Sequence, residues 1–186
     1  SLLETSKGWS AETYGTFCSS EYFLNVFAFF LIFAGIILDK MGIRFTGILS
    51  AAVMVIGASI KLYAISDLFS PESALYRFLD SFWTSFPPTA KLASVGFMIF
   101  GCGVEMGGVT VSKAIAKWFK GKEMALAMGL EMAIARPGVF AVFRLSPALS
   151  TWANEQFPNV VTPVLFCTIL LIIGLMTYTI SWVTLL

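Results

Sequence analysis

Five long apolar segments alternate with short polar or charged connections along the chain, at about residues 12–38, 45–65, 92–117, 123–149 and 162–186. Each approaches the roughly 20 residues that a helix rising 1.5 Å per residue needs to cross about 30 Å of hydrocarbon. The apolar runs are continuous, with no two-residue alternation, so they predict helices and not barrel strands; a helix also satisfies its own backbone in lipid. The last segment runs from Thr162 to Leu186 without a charge, and Pro163 suits its first turn, where a missing N–H loses no partner. The longest connection, 66–91, carries SPESALYRFLDSFWTSFPP. There Ser70 can cap a helix, Pro71 takes the first turn, and Leu75, Phe78, Leu79, Phe82 and Phe86 recur at helical spacing, which predicts an interfacial amphipathic helix. A loop that packs its aromatic side chains on the bundle is the alternative.

Composition agrees with a lipid environment: 58% of residues are apolar, 12% are charged, and the mean hydropathy is +0.84. Such a chain is expected to be an all-α integral membrane protein. A net charge of +1 offers no clustered basic face to displace counterions from phosphates, so no nucleic-acid partner is expected. The sequence has no histidine, which removes histidine-activated nucleophiles and histidine-ligated metals. Cys18, Cys102 and Cys167 are too scattered for a metal or redox motif and read as ordinary buried thiols. No enzymatic activity, metal or cofactor is therefore expected. Basic residues concentrate in two short connections, Lys40 with Arg44 and Lys117 with Lys120 and Lys122, which places those connections in the cytoplasm and the N-terminus of the chain outside. Because the chain does not begin with Met or end in a polar tail, the expectation is a piece of a longer protein.

The run GIILDKMGIRF, between the first two segments, supplies a motif. Gly35, Asp39, Lys40, Gly42 and Arg44 resemble the signature loop between the second and third helices of the major facilitator superfamily, with Ile43 where the first of two paired basic residues usually stands. Glycines there let helix ends approach, and the carboxylate can hold a helix terminus or a cation. Gly101, Gly103, Gly107 and Gly108, leading into AKWFKGKEMALAMG, are similar to the family's glycine-rich fourth helix and its basic link to the fifth. Phe97 stands where family members often carry an arginine, so no proton-relay role follows for that position. The resemblance implies helices two to six of a twelve-helix transporter, whose two six-helix bundles rock about a central site. The first helix and the whole C-terminal bundle would lie outside this chain.

Glu105 and Arg136 are charges within apolar segments. Counted from a turn at Lys120 and Gly121, each lies 15 residues along its own helix, so both are about 22 Å from the turn. A lone charge at the bilayer centre costs about 2.5 to 3.5 kcal/mol on insertion scales, so each must face the bundle interior and find a partner. Helical spacing surrounds Glu105 with Gly101, Cys102, Gly108, Val109 and Ser112, and Arg136 with Met128, Met132, Phe140 and Phe143. Pro137 frees the carbonyl of Ala133 and predicts a bend. Two readings stand: a structural ion pair that registers two helices, or a zwitterionic solute whose ammonium meets Glu105 and whose carboxylate meets the Arg136 fork.

Within the superfamily, GCGVE and KWFKGKEMALAMGLEMAIARPG resemble the lysosomal dipeptide uniporter group, although Ile134 and Ala135 interrupt that group's Met-Ala-Arg run. The resemblance implies that Glu105 and Arg136 bind the termini of a peptide. Among the remaining polar residues, Lys113 and Glu131 are candidates for a gate or an interhelical salt bridge. Asn25 either lines the pathway or bonds a neighbouring helix, and Arg144 snorkels or meets the external connection. The sequence thus points to a transporter of a small polar or zwitterionic solute, best a dipeptide or amino acid, by alternating access. A proton-coupled organic-anion carrier, with Glu105 as the proton site, is the alternative within transport. A transport-incompetent membrane sensor or scaffold is the alternative outside it.

Overall fold

A computed structural model describes residues 7–82, 85–119, 121–156 and 161–184. Among the described residues, helices α1 (Ala11–Phe27), α2 (Phe30–Ile65), α3 (Ala74–Asp80), α4 (Pro88–Trp118), α5 (Lys122–Gln156) and α6 (Val161–Thr184) follow one another. No strand occurs among the described residues. Phe30–Ile65, Pro88–Trp118 and Val161–Ile180 are each long and apolar enough to cross a membrane. Large aliphatic and aromatic side chains cover the outward faces, among them Ile32 and Phe33 of α2 and Ile173 and Met176 of α6. In lipid such faces need no further cover.

The chain divides differently from the expected spans 12–38 and 45–65. Helix α1 starts where the Ser10 side chain accepts a hydrogen bond from the Thr13 N–H (3.1 Å), with Glu12 favourably placed in the first turn. It stops at Phe27, because Phe29 takes a left-handed conformation (φ 50°) that costs a non-glycine residue about 1–2 kcal/mol. Neither glycine nor proline marks that break in LNVFAFFLIF. The expected connection at 39–44 shrinks to one residue: Gly42, at φ 82° and ψ 169°, is the non-helical position within α2. That region is open almost only to glycine, so a single residue separates Phe30–Met41 from Ile43–Ile65. The Thr46 hydroxyl donates to the Gly42 carbonyl (2.8 Å) and closes the first turn beyond it.

Helices α2 and α4 run antiparallel along a seam without bulk. A Cβ on Gly57 would stand 2.5 Å from the backbone nitrogen of Phe100, and one on Gly103 would stand 2.7 Å from the Met54 side chain. The Ser50 hydroxyl donates across this seam to the Gly103 carbonyl (3.0 Å). Small residues and hydroxyls are the contacts that hold helices in lipid, where tails are as apolar as the helices themselves. Helix α1 lies along α4 in the same direction, joined by Trp9 Nε1 donating to Thr89 Oγ1 (3.1 Å) and by a stack of Phe17 on Phe97 (4.8 Å). Trp9, Ala64, Phe86, Ala90 and Ala93 form the buried core at this end. Helix α6 packs on α2 with Tyr178 against Gly47. Helix α5 meets α4 and α6 much more sparsely.

The connection at 66–91 also differs from its expected form. Its helix spans seven residues and is capped by Ser73, whose side chain accepts from the Tyr76 N–H (3.1 Å). Ser70 instead accepts, through its carbonyl, from the Ser73 N–H (3.0 Å) in the preceding turn. The segment is tied to the bundle by Lys91, a side chain buried to 7% exposure, whose ammonium donates to the carbonyls of Leu79 (2.5 Å) and Phe82. Phe69 and Phe86 are buried, whereas Phe78 and Phe82 are exposed. The segment therefore packs two aromatic side chains inward and presents two outward.

Candidate functional site

Glu105 is half-buried on α4, one turn beyond Gly101 and three residues before Gly108. At Gly101 α1 and α4 approach closely: a Cβ there would stand 2.2 Å from the Glu21 carbonyl oxygen. That approach brings a second carboxylate, Glu21, to the turn of α4 that precedes Glu105. A cation comes from α2, where Lys61 holds its ammonium over two rings, 4.3 Å from the Phe97 centroid and 4.2 Å from that of Phe100. Phe97 is thus the floor beneath a lysine supplied by another helix. One turn from Glu21, Asn25 buries both amide atoms without a hydrogen-bond partner among the described residues. Glu21 and Asn25 of α1, Lys61 of α2 and Glu105 of α4 are polar side chains carried near where these helices meet, and among the described residues no ion pair within 4 Å joins Glu21, Lys61 and Glu105.

Glu21 and Lys61 were not among the residues singled out from the sequence. The signal was present, since both lie within apolar segments, where an ionisable side chain is costly enough to mark a site.

Arg136 lies on α5 and is exposed, and no ion pair joins it to Glu105 among the described residues. Met132 and Phe140, one turn to either side of it, are 65% and 71% exposed, so this face of α5 is open. Helix α5 continues through Pro137 from Lys122 to Gln156. Arg144 is exposed, and the side chain of Phe143 falls outside the described residues. Lys113, a candidate for a gate or an interhelical salt bridge, donates its ammonium to the Asp39 carboxylate of the Gly42 turn. Glu131 lines an apolar cavity of about 410 Å³ between α4 and α5, together with Val111, Ile115 and Glu123. In the motif, Gly42 makes the break, Asp39 takes the lysine of α4, Lys40 and Arg44 are exposed, and Gly35 faces open space. Among the described residues, no group of acidic, cysteine or histidine side chains could hold a metal ion.

Long apolar helices, a glycine and hydroxyl seam, and charges gathered within the bundle define a multi-pass integral membrane protein. The chain is 30% identical over 107 residues to the lysosomal dipeptide transporter MFSD1 of Bos taurus, a match that covers 57% of this chain and 19% of that protein. It is 30% identical over 115 residues to the same-named protein of Mus musculus, covering 61% of this chain and 20% of the relative. With that of Gallus gallus the identity is 38% over 65 residues, 35% of this chain and 13% of the relative. The matched segments span a fifth or less of the curated relatives' length. The resemblance to the major facilitator superfamily, and within it to the dipeptide transporter group, is thereby supported. No family model matches the chain, and no solved structure matches it.

Proposed function

We propose that this chain is part of the N-terminal bundle of a secondary transporter that moves a zwitterionic organic solute, a dipeptide or amino acid, by alternating access. The observation that carries the reading is the half-buried Glu105 carboxylate on the glycine-lined face of α4, in a chain similar to proteins named as dipeptide transporters. Glu105 takes the ammonium of the solute. Arg136, exposed on α5 and flanked by Met132 and Phe140, takes its carboxylate once α5 closes on the bundle. The sparse packing of α5 against α4 is compatible with such closure. Five membrane spans, a preceding helix and a second six-helix bundle complete the proposed architecture, and in a eukaryotic cell the relatives' names favour the lysosomal membrane.

The test is ligand-induced thermal stabilisation of the full-length protein in detergent with dipeptides, amino acids, dicarboxylates and sugars, beside Glu105→Gln and Arg136→Lys. Stabilisation grows with free ligand over the dissociation constant, so binding is read without a transport assay. Dipeptides or amino acids should stabilise the wild type and neither variant. Equal shifts in all three proteins would make both charges structural.

A further inference from the structure

A cavity of about 450 Å³ opens between α1, the start of α4 and the segment that carries α3. Its size falls within the roughly 300–1,000 Å³ of pockets that hold small organic molecules. Phe23, Phe86, Val95 and Met98 give it apolar walls. On its α1 side the hydroxyls of Thr16, Ser19 and Ser20 each donate to a carbonyl of their own helix. On its α4 side two buried groups are left incomplete. Ser94 is 8% exposed, and its hydroxyl has no hydrogen-bond partner among the described residues. The Lys91 ammonium gives two of its three N–H groups to the carbonyls of Leu79 and Phe82, and the third has no acceptor among the described residues. Carbonyls satisfy protons without cancelling charge, and no carboxylate stands within 4 Å of Lys91 among the described residues. Its place at the first turn of α4 adds the positive end of the helix dipole to that charge.

We infer that this cavity binds an anionic amphiphile, an acyl chain joined to an acidic headgroup, with the acid at Lys91 and Ser94 and the chain along Phe23, Val95 and Met98. Lys91 and Ser94 are three positions apart and share a face of α4. One offers a charged donor and the other a neutral one, a pair suited to the oxygens of a carboxylate or phosphate. Met98 lies seven residues beyond Lys91, about 10 Å along the helix. The polar end of the cavity is thus at the start of a helix long and apolar enough to cross a membrane, and the apolar end lies toward its middle. That is the polarity of a lipid, whose headgroup stays at the interface while its chain points to the centre of the bilayer. A neutral amphiphile fills the same space but leaves the buried lysine without a counter-charge, which is costly in such surroundings. A fatty acid and an acidic phospholipid share the required chemistry. Neither Glu105 nor Arg136 lines the cavity, so the inference stands apart from the proposed solute site.

The experiment takes the full-length protein in a neutral detergent, at about pH 8 where a carboxyl group is ionised. It follows displacement of the fluorescent fatty acid cis-parinaric acid by oleate, oleyl alcohol, dioleoylphosphatidylglycerol and dioleoylphosphatidylcholine. Parinaric acid should saturate in the wild type, and oleate should displace it about tenfold more strongly than oleyl alcohol, which has the same chain and no charge. Lys91→Gln keeps an N–H donor for the carbonyls but removes the charge, so it should erase that difference while still binding the alcohol. Ser94→Leu fills the cavity and should abolish saturable binding; if it does not fold, Ser19→Leu on the α1 wall carries the same decision. Displacement by phosphatidylglycerol and not by phosphatidylcholine assigns the site to an acidic lipid of the bilayer, and displacement by oleate alone assigns it to a free fatty acid. Absence of saturable binding in the wild type shows the cavity covered by other parts of the protein and overturns the inference. Neutral or zwitterionic amphiphiles as effective as their acidic counterparts, a Lys91→Gln protein that keeps the wild-type difference, or undiminished binding in the filled variants overturn it equally.

Discussion

Lys113 on α4 bonds Asp39 on α2 across 74 positions of sequence, and so fastens the turn at Gly42 to the helix that carries Glu105. The contact joins the signature loop to the candidate site through one helix. Two turns of α4 separate Lys113 from Glu105.

Both side chains of that pair reach solvent, at 41% and 77% exposure, so its worth in stability is small, under about 1 kcal/mol. Asp39→Asn and Lys113→Met should each lower the thermal midpoint only slightly. The exchanged pair, Asp39→Lys with Lys113→Asp, should recover transport lost in either single variant. Uptake that stays lost in the exchanged pair would assign Asp39 a role outside this contact.

Gly42→Ala should destabilise the protein by about 1–3 kcal/mol, because φ 82° with ψ 169° is a region that a Cβ makes costly. Gly35→Ala, four residues before Asp39, has open space around its Cβ and should be nearly silent in the same denaturation measurement.

Gly101→Val should cost more than a strained turn, since even its Cβ would sit 2.2 Å from the Glu21 carbonyl oxygen and would drive α1 from α4. A lowered thermal midpoint, with loss of the dipeptide stabilisation that the proposed function expects, is the outcome. Gly108→Ala, with nothing within 4 Å of its Cβ, is the matched control.

Lys91→Met leaves the carbonyls of Leu79 and Phe82 without their donor and should cost about 1–3 kcal/mol. The loss should be local. Limited proteolysis should cut the segment around α3 faster in the variant than in the wild type.

Much of this arrangement is written locally in the chain. Continuous apolar runs announce helices in lipid, and Gly42 and Asp39 are legible because a turn must use residues suited to it. The division at Phe29 is not legible, because no glycine or proline stands there and the left-handed conformation it takes is one the local sequence disfavours. Ser70 reads as the better cap because Pro71 follows it, yet Ser73 caps the helix; Lys91 grips the carbonyls at the far end of the segment. At the site, Glu105 and Arg136 stand out as isolated charges, while the grouping of Glu21 with Lys61 depends on how three helices meet at Gly101, Phe97 and Phe100. Such a grouping is tertiary information and has no periodicity to reveal it.

The separation of Asp39 from Lys113 also has a meaning in time. At about 5–20 residues per second, the ribosome needs roughly 4–15 s to make the 74 residues between one partner and the other. For that interval the nascent turn carries its carboxylate with no lysine from α4 to meet it. The geometry at Gly42 and the adjoining charges of Lys40 and Arg44 must therefore hold the turn at the aqueous face by themselves, and the later helix arrives as a latch on a joint already formed.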